Sequence, residues 1–218
     1  MKGDVIIVED HHRRAASAIV ERFVDGIRAR ERRSTITVAG ESGSGKSETG
    51  RAIADALGEA GLPSIVLGQD DYFVLPPKSN DARRRQGIEW VGPGEVRLDL
   101  LDAHLAAARD GADQLTKPEV IYAEDRITEE TIDLSGARVV IAEGTYTTLL
   151  ENVDTRVFIA RNRLETMDAR MRRGREQFDP FIEDVLEIEH AIISQHRPRA
   201  DVVITRDYEV EFPTSPVG

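Results

Sequence analysis

"GESGSGKS", Gly40–Ser47, fits the pattern G-x-x-x-x-G-K-[ST] without a gap, and its reading decides the fold. Gly40, Gly43 and Gly45 permit backbone angles that turn successive N–H groups inward into an anion nest. Glu41, Ser42 and Ser44 lend their backbone to that cradle. Lys46 can reach the β- and γ-phosphates of a nucleotide, the Ser47 hydroxyl can ligate Mg2+, and Glu48 opens the helix behind. The context agrees. "STITVAG" (34–40) is a β-branched run ending in glycine, a buried strand, and "KSETGRAIADALGEAG" reads as a helix closed by Gly58 and Gly61.

Outward from the motif, "PSIVLG", "ARVVIAEG", "DTRVFIA" and "ADVVI" read as further strands. "EVRLDLLDAHLAAARDG", "LETMDARMRRGRE" and "PFIEDVLEIEHAIISQH" read as helices, the last with Phe181, Val185, Ile188 and Ile192 on one face. "PEVIYAEDRITEETIDL" reads as a pair of short strands. Apolar strands alternating with helices predict a parallel sheet covered on both sides: an α/β, P-loop NTPase fold. Ile19, Phe23 and Ile27 mark an extra amphipathic helix, so residues 1–33 read as an N-terminal helical extension ahead of a domain over 34–218. Residues 76–96, rich in proline, glycine and charge, read as the one long irregular stretch, the kind of loop that usually serves function.

The 218 residues carry a net charge of −11, which argues against a general nucleic-acid binder, whose phosphate contacts need a basic face. No apolar run is long enough to span a membrane, and "MKGDVIIVEDHHRR" is not a secretory signal. The absence of cysteine fits a reducing cytoplasm and excludes a thiolate metal site. The histidines show no H-x-x-x-H spacing and read as structural. Self-association is not legible.

Two carboxylates stand beside the cradle. Asp70, in "LGQDDYF", follows the strand after the phosphate-loop helix, and Glu143 ends "VVIAEG". Ligands bind at that edge of an open α/β sheet. Asp70 is placed to accept a proton from an attacking hydroxyl and to help position Mg2+. Asp71 reads as a turn residue or a water-mediated contact, and Tyr72 and Phe73 as walls of an acceptor pocket. No N-K-x-D guanine reader occurs. Arg170, Arg173 and Arg175, in "RMRRGR", suit a lid (about 163–180) that closes over the transferring phosphoryl group. Arg83–Arg85 form a second basic cluster, read either as a mobile loop or as an anion contact.

Taken in order, "GESGSGKS", "LGQDDYF", "VVIAEGTY", "ARMRRGRE" and "ADVVI" resemble the uridine kinase and phosphoribulokinase group of P-loop kinases over about residues 34–206. The resemblance implies an ATP- and Mg2+-dependent kinase of a small-molecule hydroxyl. It puts the base and a metal contact at Asp70, a second metal-site acid at Glu143, phosphate contacts at the lid arginines and a nucleoside-holding aromatic at Phe73. "KPEVIYAEDRI" replaces the family's base- and sugar-reading segment. Tyr122 stands for its aromatic, Asp125 for its histidine, and Arg126 lies beside them. Asp125 and Glu124 would disfavour a strongly anionic acceptor. "GPGEVRL" offers Glu95, displaced, for the family's acid after a proline. The expected acceptor is a nucleoside such as uridine or cytidine, or else another hydroxyl compound: sugar, sugar phosphate or pantothenate-like acid. A non-catalytic nucleotide-binding regulator is the remaining reading.

Overall fold

The computed structural model describes residues 6–162, 165 and 179–213. Helix α1 (Asp10–Ala29) leads to β1 (Ser34–Gly40), the phosphate loop and α2 (Lys46–Glu59). Then come β2 (Ser64–Gly68), α3 (Pro77–Gln86), α4 (Leu98–Arg109), and the hairpin β3 (Gln114–Ile121) and β4 (Arg126–Asp133). The chain continues through β5 (Val139–Glu143), β6 (Thr155–Ile159), α5 (Pro180–Ile193), β7 (Val202–Ile204) and β8 (Val210–Glu211).

The main sheet runs β2-β5-β1-β6-β7-β8; only β8 is antiparallel. The side chains of β5 show why the strands read as continuous apolar runs. Val139 and Ile141 pack on the α1–α2 side with Ile19, Ile53 and Leu57. Val140 and Ala142 pack on the other side with Leu101, Leu105 and Tyr146. Both faces of the sheet are covered, so period-two alternation disappears. Buried Leu and Ile side chains contribute about 1.5–3 kcal/mol each, so these two layers dominate the favourable side of folding.

Helix α1 begins at Asp10, earlier than its apolar stripe suggests. The backbone N–H of Glu9 donates to His12 Nδ1 (3.0 Å) and satisfies the first turn. Residues 76–96 depart further from expectation: they contain the ten-residue helix α3. Its inward side is polar, with Asn80 buried and the Arg84 side chain only 17% exposed, so no apolar period announces it.

Candidate functional site

The site forms where three strands end together. Glu143 is in register with Val38 of β1 and with Gly68 of β2, so its carboxylate emerges between the phosphate loop and the segment carrying Asp70. Two of the three loop glycines take left-handed backbone, Gly43 at φ 73° and Gly45 at φ 94°; Gly40 does not, and serves instead by close approach, since a Cβ there would crowd Ser44 Oγ and Ile159 O. Gly45 is doubly constrained, because a Cβ there would overlap the Tyr208 hydroxyl, which donates to Ser44 O (2.7 Å). Lys46 Nζ donates to Glu41 O (2.9 Å), and Ser47 Oγ donates to Glu143 Oε1 (3.1 Å). Burial, reinforced by the nearby Asp70 charge, pushes the Glu143 carboxyl up to about 7, against the opposing pull of Lys46 and Ser47. Asp70 and Lys46 therefore lie within electrostatic reach of one carboxylate.

The adjacent acids part company. Asp70 is exposed and lines a cavity of about 190 Å3 with Phe73, Leu75, Pro77, Asn80 and Arg84. Asp71 is buried and accepts from Lys117 Nζ (2.9 Å) and Val120 N (3.0 Å), pinning the hairpin to the sheet edge. Tyr72 is not a pocket wall as expected. It is fully buried and its hydroxyl meets His104 Nδ1 (2.8 Å), so it belongs to the core. Phe73 does reach the cavity.

The hairpin residues expected to read an acceptor lie elsewhere. Tyr122 is 44% exposed, and Arg126 Nη2 donates to Glu124 (2.8 Å). Asp125, at φ 47°, accepts from Lys78 N (2.7 Å), Ser79 N (3.2 Å) and Ser79 Oγ (2.7 Å). These bonds, the Ser79 hydroxyl foremost, hold its carboxyl below the usual carboxylate range. Asp125 caps α3 from outside its own element, supplying the acceptor that Pro76 at its N-terminus cannot. Asp125→Ala should therefore raise the KM of whatever occupies the cavity severalfold with kcat unchanged, because α3 carries Asn80 and Arg84. Steady-state kinetics reads this, and an unchanged KM would count against the cap.

Sequence reasoning named Glu95 and the cluster Arg83–Arg85 separately and missed that they pair, with Asn80, behind the cavity. Glu95, fully buried, accepts from Arg84 Nε (2.5 Å) and Nη2 (2.9 Å), Asn80 Nδ2 (2.7 Å) and Gly92 N (2.8 Å). Arg84 Nη2 also approaches Glu189 Oε1 of α5 (3.5 Å). Of the three consecutive arginines only Arg84 faces inward. Arg83 lies over Trp90, and Arg85 bonds Asp81 and Asp179. Periodicity could have shown that Asn80 and Arg84 share a helix face, but not that the face is buried. Arg170, Arg173 and Arg175 lie outside the described residues.

Among the described residues no helix is long and apolar enough to cross a membrane. Over 205 residues (88% of this chain) the sequence is 30% identical to the bifunctional alpha-galactosidase/sucrose kinase AgaSK of Mediterraneibacter gnavus; the match spans 22% of that relative's length. The fold is similar to that of a possible uridine kinase from Bacillus stearothermophilus (TM-score 0.59, 21% identity, covering 87% of this chain and 97% of that one). It is also similar to D-glycerate 3-kinase from Cryptococcus neoformans (TM-score 0.60, 14% identity, 94% and 100%). Residues 35–161 match the phosphoribulokinase/uridine kinase family, and the chain belongs to that family of kinases.

Proposed function

We propose that this chain transfers the γ-phosphoryl group of ATP to a hydroxyl of a small neutral polyol of the sugar class. One observation carries the reading: the cavity lined by Asp70 also contains Arg84, whose charge is already balanced by Glu95 and approached by Glu189. A compensated guanidinium does not attract a phosphate or carboxylate, yet it still offers hydrogen bonds to hydroxyl groups. The volume is below the range of drug-sized sites and suits a single sugar ring. Similarity to a protein named as a sucrose kinase supports the same class. The nucleoside reading loses ground because Asp125 and Arg126 are engaged away from the cavity.

The left-handed backbone at Gly43 and Gly45 fits a phosphate nest, and the oxygen donors Ser47, Glu143 and Asp70 fit Mg2+. When bound, the cation supplies charge neutralisation at the β- and γ-phosphate oxygens. Lys46 trades Glu41 O for those oxygens. Asp70 accepts the acceptor's hydroxyl proton as the new P–O bond forms and the bond to the ADP oxygen breaks. Arg170, Arg173 and Arg175 are our candidates to close over the transferring group. Such an enzyme works where ATP is held, and we infer a cytoplasmic location.

The test is acceptor-dependent ADP release by the full chain with Mg2+ and ATP, across neutral sugars, sugar phosphates and nucleosides. Neutral sugars should stimulate release most. Stimulation by nucleosides alone would overturn the acceptor class. No stimulation by any acceptor, with nucleotide altering binding to another protein, would favour the regulatory reading.

A further inference from the structure

Helix α5 touches both halves of the site through consecutive residues. Glu189, 8% exposed, approaches Arg84 on the cavity wall, and burial raises its carboxyl above the usual range while Arg84 and Lys46 oppose the rise. His190 meets the phosphate loop instead, with Nδ1 2.6 Å from Glu41 Oε1. Glu41 is itself buried, its Oε2 has no hydrogen-bond partner among the described residues, and its backbone carbonyl holds Lys46. A buried carboxylate tied down at one oxygen has few places to go, so His190 restrains the residue whose backbone carbonyl holds Lys46.

We infer that His190 is a positioning residue. Acting through Glu41, it holds the phosphate loop and Lys46 in the arrangement that a nucleotide meets, and through Glu189, its neighbour on the same helical turn, it links the occupied loop to Arg84. Nucleotide on the loop and polyol in the cavity then favour one another's binding. The inference rests on the acceptor-site reading above, but its decisive test needs no acceptor.

The reporter is Trp90, the chain's one tryptophan. Its Nε1 donates to Asn80 Oδ1 (2.9 Å), and Asn80 in turn donates to Glu95, so the indole is anchored in the cavity-wall network rather than in the phosphate loop. Titrating the full chain with Mg2+ and adenosine 5′-(β,γ-imido)triphosphate should change Trp90 emission. In His190→Ala the nucleotide should bind roughly fivefold or more weakly, and at saturation the emission change should be lost. The His190 side chain is 40% exposed, so its truncation opens no core cavity, and the unfolding midpoint reads what Glu41 loses with its partner. His190→Asn, whose amide can still donate to Glu41, should restore both affinity and signal. Emission that ignores nucleotide in the parent chain, a full signal in His190→Ala, or an Asn variant as impaired as Ala would each overturn the inference. Failure of every sugar to stimulate ADP release would instead overturn only the acceptor class.

Discussion

Asp70→Asn should lower kcat by about 10²–10⁴-fold, the range for losing a general base. Asn keeps the size and hydrogen-bonding reach of Asp but cannot take up the hydroxyl proton. Sugar affinity should change only a few-fold, because Asp70 is one of several groups around the cavity, whereas the Mg2+ requirement should rise with the loss of an oxygen donor, so kcat is read at saturating Mg2+. Asp71→Asn is the matched control. Its partners are Lys117 and the hairpin backbone, so the damage should appear as a lower unfolding midpoint rather than a lower kcat. Retention of more than about a tenth of kcat in Asp70→Asn would remove it from the reaction, since general-base losses begin near a hundredfold.

That pair also shows how far the sequence could be read. The order strand, glycine loop, helix was legible because β-branched runs and left-handed glycines are local properties, and Gly43 and Gly45 take the backbone angles expected of them. The sequence reading put the reacting acid at Asp70, but what Asp71 does was not legible, because its partners Lys117 and Val120 lie on a distant strand. Helix α3 stayed hidden for a related reason: its buried side is Asn80 and Arg84, paired to Glu95, and apolar periodicity cannot register a polar core. In α5 the expected stripe of Phe181, Val185, Ile188 and Ile192 gives way to a buried face of Val185, Leu186, Glu189 and Ile193. Glu189 lies on that buried face among Val185, Leu186 and Ile193 and approaches Arg84 there. Wherever a tertiary ion pair replaces hydrophobic contact, the local pattern misleads.

Glu95→Ala should cost about 3–5 kcal/mol, the usual penalty for stranding one partner of a buried ion pair. For a chain of this size that is a fall of roughly 6–20 °C in the unfolding midpoint, readable by calorimetry. Four donors lose their acceptor at once, and among the described residues Arg84 keeps only the 3.5 Å approach to Glu189. Glu95→Gln separates charge from shape. It can still accept from Arg84 and Asn80, so it should lose less stability, but it uncovers part of the Arg84 charge toward the cavity. If the neutrality of that wall is what excludes anionic acceptors, Glu95→Gln should narrow the preference for neutral sugars over sugar phosphates, measured as a ratio of kcat/KM values. A Glu95→Ala chain that unfolds within a few degrees of the parent would mean the guanidinium finds water or another acid. The compensated-charge argument for a neutral substrate would then fail with it.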